Sequence, residues 1–303
     1  MVTAAVLLAL AGSFCFGAAA ALQQREAGRA ADLPVADPRL LWRLAHRPLW
    51  LVGVLADVVA AGLHVAALAF GSVALVQPIG VTGLLFAIPL VALINRRRLR
   101  STDILAAVVV LAALAIVLGQ LPGQPPAGRT AGGTAVVAAV AATIGVAALL
   151  AGCARLVSGR PRPVLLAAGA GTAFGMAAVL VRVVLTDPGL AVVLLAVGGA
   201  VVVVLIGYLL LQTAYRSGFF EGALATAVVA DPVAALLGGA AVLGERMPTG
   251  TGAVTVAAGC ALLVIAGITA LVRSPAHVFT VAPADASAHR PGREKLPRLD
   301  SNQ

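Results

Sequence analysis

Charge is what this sequence lacks. Only 11% of its 303 residues are Asp, Glu, Lys or Arg, against about 25% in an ordinary soluble domain, so there is too little polar surface to coat a globule in water. Lysine is reduced to Lys295 and aromatic residues to 4% of the chain. The three cysteines, Cys15, Cys153 and Cys260, are odd in number and lie in apolar stretches; that excludes a disulfide framework and leaves them as small packing residues. HExxH helices, Walker loops, nucleophile elbows and Cys/His metal clusters are absent from the sequence, so neither an enzyme nor a cofactor is expected.

What fills the chain is apolar. Hydrophobic residues make up 61% and the mean hydropathy is +1.04. The apolar residues fall in runs of ~20, the length that crosses a bilayer. The runs predict an all-α polytopic membrane protein of about nine spans: Val2 to Leu22, Leu49 to Phe70, Ser72 to Ile94, Ile104 to Leu121, Thr134 to Ala154, Val164 to Leu185, Leu190 to Ala214, Gly218 to Leu243 and Thr251 to Val272. Turn chemistry separates them, as at Thr186-Asp187-Pro188-Gly189 and in the Pro/Gly-rich linker Pro122 to Gly128.

The formal charge of +9 does not point to nucleic acid, because the arginines are not interleaved with aromatics on one face; they sit in alternate gaps between spans. Arg25, Arg29, Arg39, Arg43 and Arg47 follow the first run, Arg96, Arg97, Arg98 and Arg100 the third, Arg155, Arg160 and Arg162 the fifth and Arg216 the seventh; the tail carries five more basic residues. By the positive-inside rule this is a cell-membrane protein with its N-terminus outside and its C-terminus in the cytoplasm. A cleaved signal peptide is the rival reading of the first run, given the small residues Ala18 to Ala21, but no basic segment precedes it. Residues 23–47 are expected to form a cytoplasmic loop with a short surface helix around Leu40 to Ala45 and Trp42 at headgroup level; a tenth helix hidden there is the alternative. The tail, 273–303, is expected to be disordered.

The chain also repeats itself. At an offset of 148 residues Ala113-Leu114 aligns with Ala261-Leu262, Gly119 with Gly267 and Arg98 with Arg246, and each half holds a proline-bearing helix (Gln77-Pro78, Asp231-Pro232), a charged turn and an Ala/Val-rich helix. Repeat one is 1–121 and repeat two 134–272, four plus five helices, with an odd helix separation that inverts one against the other. Chance similarity between Ala/Val-rich helices is the competing explanation.

On Ala230-Asp231-Pro232, Leu243-Gly244-Glu245-Arg246 and Gly259 through Gly267, the sequence resembles the drug/metabolite transporter (DMT) superfamily with its EamA-type repeats. In the first half, Trp50 to Gly53, Ala67-Leu68 and Leu75-Val76-Gln77-Pro78-Ile79-Gly80 are similar to the NIPA-like magnesium transporter branch. The first half departs from the pattern in lacking one helix of five and in having Arg96-Arg97-Arg98 where the second half has Gly-Glu-Arg. The resemblance implies divalent-cation uptake or export of a small metabolite or drug.

Ionisable groups within spans cost roughly 2.5–3.5 kcal/mol each and face a partner or cavity. Asp57 and Asp231 lie near the middle of their helices. Asp231 precedes Pro232, which frees backbone carbonyls one turn back, so the two aspartates are candidate ligands for a proton or a hard cation such as Mg²⁺; a kink partner is the plainer role for Asp231. His64 shares a face with Asp57, two helical turns away, and either relays protons or bonds across helices. Gln77, Tyr208 and Gln212 are candidate substrate contacts, with ordinary interhelical bonding as the alternative. Arg182 is expected to snorkel or to pair with Asp187, and Glu221 to snorkel at the inner end of its helix. The sum is a secondary transporter working by alternating access, with His64 and Gln77 on the outer approach and Tyr208 and Gln212 on the inner. The alternative is a non-transporting assembly or receptor protein that kept the fold. The partners expected are the bilayer and a small solute or cation, such as Mg²⁺ or a metabolite, with proton coupling; a homodimer is left open and nucleic acid excluded.

Overall fold

A chain this apolar has to satisfy its backbone hydrogen bonds internally once it enters lipid, and helices do so within one segment. The computed structural model describes residues 2–30, 33–70, 73–96, 98–120, 131–245 and 250–273. Among these the chain forms α1 (Val2–Gly28), α2 (Arg39–Ala45), α3 (Pro48–Phe70), α4 (Val73–Gly80), α5 (Gly83–Ile94), α6 (Ser101–Gly119), α7 (Gly133–Leu156), α8 (Pro161–Thr186), α9 (Leu190–Tyr215), α10 (Phe220–Leu243) and α11 (Thr251–Arg273). No strand occurs among the described residues. Eight helices, α1, α3 and α6 to α11, are long and apolar enough to cross a membrane. This is a multi-pass helical membrane protein. The linker 122–128, Arg97, Arg246 and the tail from Ser274 lie outside the described residues.

Two boundaries differ from the sequence reading. The first helix does not stop at Leu22 but runs on to Gly28, because no glycine or proline lies between those two positions; polarity ended the apolar run without ending the helix. The run read as one span from Ser72 to Ile94 holds two helices, α4 and α5, parted by a turn at Val81-Thr82 between Gly80 and Gly83. Hydroxyls take up carbonyls that the break releases. Thr82 Oγ1 donates to Ile79 O at 2.7 Å, and Ser13 Oγ of α1 reaches the same oxygen at 2.7 Å and Gly80 O at 3.3 Å. The short helix α2 forms as expected, and its seven residues are too few to cross a bilayer.

Small residues set the packing. In lipid, where apolar side chains gain little by leaving the solvent, helices associate where their backbones approach closely. α1 lies along α3, α4 and α5, α8 lies along α7, α9 and α10, and α6 packs on α11. A Cβ added at Gly17 of α1 would fall 2.9 Å from Gly83 O, 2.7 Å from Phe86 Cβ and 2.8 Å from Ala87 N. A Cβ at Gly175 of α8 would collide with Asp231 O and lie 2.9 Å from Ala234 Cβ and 2.8 Å from Ala235 N. The seats on α5 and α10 thus offer the same three kinds of atom at positions 148 residues apart, while the glycines that rest on them, Gly17 and Gly175, are 158 apart. Gly267 of α11 is similarly seated, 3.1 Å from Ala106 O of α6.

Gly17→Val and Gly175→Val are expected to destabilise the protein by about 1–3 kcal/mol or more, since backbone atoms cannot swing aside. Gly145→Ala, in open space on α7, should stay within about 0.5 kcal/mol of wild type. Thermal unfolding in detergent measures both.

Candidate functional site

The polar core is built where α1 and α3 meet α9. Asp57 stands on α3, nine residues and therefore roughly 14 Å from Pro48 at its start. Its Oδ2 accepts two hydrogen bonds, from Gln23 Nε2 at 2.6 Å and from the Tyr208 hydroxyl at 2.8 Å. Gln212 Nε2 then donates to Gln23 Oε1 at 2.6 Å. Tyr208 and Gln212 are one turn apart on α9 and share a face; Gln23 is brought in by the extra length of α1. Both glutamines are fully enclosed, 1% and 0% exposed.

An ionised carboxylate can only accept, and that fixes the direction of the whole chain of bonds. Gln23 must turn its amide nitrogen toward Asp57, so its oxygen faces Gln212. Gln212 must in turn offer its nitrogen, which leaves Gln212 Oε1 buried without a partner. Trp50 Nε1 is a second buried polar atom without one. Trp50 and Phe174 both meet the Tyr208 ring edge-on, with centroids 6.4 and 5.6 Å away. The site therefore combines a carboxylate, a spare acceptor and a spare donor within an aromatic and apolar wall.

The segment between α1 and α3 closes one end of this core. Leu40 and Leu44 of α2 are fully buried in a cluster with Trp50, Leu33, Val54, Tyr208 and Leu209. Arginines fasten the segment down. Glu26 accepts Arg47 Nη1 at 3.0 Å and Arg29 Nη1 at 3.4 Å. Arg216, directly after α9, donates to Leu33 O at 3.3 Å and Arg155 of α7 to Val35 O at 3.1 Å. A short surface helix was expected here; its apolar side is instead a plug beneath Tyr208, with Trp42 left 71% exposed on the other side.

The remaining predicted residues are placed elsewhere. His64 sits against Gly80 at the end of α4, where a Cβ on Gly80 would lie 3.1 Å from His64 Cε1, and it makes no hydrogen bond to Asp57 among the described residues. Gln77 lies in α4, but its side chain is outside the described residues. Asp231, half-buried on α10, backs onto Gly171 and Gly175 of α8 and makes no side-chain hydrogen bond or ion pair among the described residues, so it is not part of the Asp57 network. Arg182 of α8 pairs with Glu245 at 2.5 Å, and not with Asp187, whose Oδ1 caps Gly189 N at 2.8 Å. The Arg182–Glu245 contact is an ion pair without an aligned hydrogen bond at Glu245 Oε1. Glu221, expected to snorkel, is buried, 2% exposed. Among the described residues no three His, Cys, Asp or Glu gather as a metal cluster.

Sequence reasoning missed Gln23 and Trp50. A signal for Gln23 was present, since the helix has no stop before Gly28 and its next turn carries Gln23, Gln24 and Glu26. Trp50 was noticed only within a motif.

Comparison with known proteins adds an outline and no activity. No family model matches the chain, and no solved structure matches it. An uncharacterized protein of Corynebacterium glutamicum is 29% identical over 252 residues, covering 80% of this chain and 85% of that protein. The similarity thus extends over most of both sequences.

Tyr208→Phe and Gln23→Leu are each expected to cost about 0.6–1.7 kcal/mol, the range of interhelical hydrogen bonds in membranes. Because both donors converge on Asp57 Oδ2, a double-mutant cycle by thermal unfolding should return a coupling of roughly 0.5 kcal/mol or more. Additive effects would show that the two bonds form independently.

Proposed function

We propose that the chain is a secondary transporter that moves a small cationic or hydrogen-bond-donating solute, a divalent cation included, across the cell membrane by alternating access. The observation that carries this reading is the enclosed Asp57 carboxylate, tied to Gln23 on one helix and Tyr208 on another. A charge is costly at such depth, and its usual use is to bind or couple what crosses. The unpartnered Gln212 Oε1 adds an acceptor, which favours a solute that brings donors or positive charge. With no three-residue acidic cluster nearby among the described residues, a divalent cation at Asp57 would keep most of its water.

The inverted-repeat reading, 1–121 against 134–272, is supported by the two matching glycine seats. In that alignment α1, α3, α4 with α5, and α6 correspond to α8, α9, α10 and α11, and α7 is the helix without a counterpart. Asp231 then pairs with Gly83 and not with the Gln77-Pro78 step. The broken pair α4 and α5 makes the ninth crossing, which puts the N-terminus outside and the C-terminus in the cytoplasm. The DMT and NIPA-like resemblance agrees with this layout. In this arrangement the α2 plug shuts the cytoplasmic end and the Arg182–Glu245 pair links α8 to the turn after α10 at the outer end. The conformation is closed at both, and transport requires each to open in turn.

Proteoliposome flux over a panel of ions and metabolites tests the proposal. Asp57→Asn is expected to lower flux about tenfold or more, the loss of a charge-assisted contact, with normal expression; Asp231→Asn, outside the network, should have the smaller effect. Wild-type flux in Asp57→Asn, or no flux from folded wild-type protein across the panel, would favour a non-transporting membrane protein. Green fluorescent protein fused after the tail should fluoresce in cells, whereas alkaline phosphatase fused there should stay inactive; the reverse pattern overturns the sidedness.

A further inference from the structure

The arginines between α1 and α3 are not all spent on holding the plug. A cavity of about 410 Å³ opens between the end of α1 and the α2–α3 turn, lined by Ala30, Trp42, Arg43, His46 and Arg47. Arg47 is fixed by Glu26 and by Arg29 O, at 3.0 and 3.2 Å. Arg43 makes no ion pair or hydrogen bond among the described residues, so its planar fork of donors is free for a ligand. His46 Nδ1 lies 2.7 Å from Trp42 O and therefore carries its proton there, leaving Nε2 unengaged. Two guanidiniums beside an imidazole, in one recess, suit a phosphate oxygen group.

We infer that this recess binds the phosphodiester headgroup of an anionic phospholipid. The depth argues for a lipid over a dissolved anion. α3 begins at Pro48, directly after Arg47, and carries exposed Leu51, Val52 and Leu55, so the cavity sits where an apolar span gives way to polar chain. Trp42, 71% exposed and edge-on to His46 at 4.8 Å, is poorly placed in water and well placed at a membrane interface. A zwitterionic lipid offers the same phosphate, but its ammonium is repelled by the two arginines, whereas each basic residue near the surface favours an anionic lipid by about fivefold. Because α2 presents Leu40 and Leu44 to the plug and Arg43 to the recess, a bound headgroup holds the plug helix in its seat. The leaflet in question rests on the sidedness proposed above; the binding itself does not rest on transport.

The chain has two tryptophans, Trp42 and the buried Trp50, which makes lipid quenching a direct readout. Full-length protein in phosphatidylcholine vesicles containing a small, equal fraction of brominated phosphatidylglycerol or brominated phosphatidylcholine should show several-fold stronger quenching by the former. Trp42→Phe should remove that excess and Arg43→Gln should reduce the ratio to about one. Arg39→Gln, exposed on the same short helix but outside the recess, should keep it. Equal quenching by the two lipids overturns the proposal, as does retention of the excess in Arg43→Gln. Loss in Arg39→Gln as well would reduce the site to general surface charge. Loss of the excess on adding inorganic phosphate, at ionic strength matched with chloride, would assign the recess to a soluble anion and so overturn the lipid. Since the readout is binding, a protein that fails every flux assay can still pass this one.

Discussion

The Asp57 carboxylate is the group around which the fold is organised. Its Oδ2 accepts both of its bonds, so each neighbour there has to donate, and the requirement propagates through Gln23 to Gln212 across three helices. Each element is adjusted to meet it. α1 runs beyond its apolar stretch to deliver Gln23, α9 presents Tyr208 and Gln212 on one face, and α2 covers the group from below with Leu40 and Leu44. Elsewhere much of the close approach between helices is made at Ala and Gly, with single polar bonds such as Ser13 to Ile79 added to it. At the core the direction comes from one acceptor oxygen, Asp57 Oδ2.

Much of this was legible from residue order. Apolar runs of bilayer length located the long helices to within a few residues, because a lipid solvent leaves the chain no other way to satisfy its backbone. Asp57, Tyr208 and Gln212 stood out as polar groups in such runs, and they come together. What failed to show has physical reasons. Helix ends follow stop signals and not polarity, so Gln23 was assigned to a loop. Periodicity cannot reveal a break whose freed carbonyls are taken by hydroxyls on the chain itself and on another helix, as Thr82 and Ser13 do at Ile79. The partner of Arg182 is 63 positions distant in sequence at Glu245, and nothing local announces it. Asp231 looked like the companion of Asp57 because both are acids within apolar runs; the packing puts them in different places.

The arginines illustrate how one residue type serves several ends. Their placement in alternate gaps is the topological signal of a membrane protein. Arg155 and Arg216 also tie distant helices to the backbone of the first loop, and Arg47 neutralises the buried Glu26. The loop that looked like a hydrophilic connector is therefore held by polar contacts from Arg29, Arg47, Arg155 and Arg216.

The paired glycine seats at Gly17 and Gly175 carry a mechanical consequence. Where side chains interlock, two helices behave like meshed gears, and any roll between them must first lift the teeth. At these two seats a bare glycine rests on backbone atoms and a single Cβ of the facing helix, so the contact resembles a journal in a smooth bearing: tight in the radial sense, with little to resist rotation. One such bearing joins α1 to α5 and another joins α8 to α10, so two helix pairs far apart in the sequence share the same kind of contact.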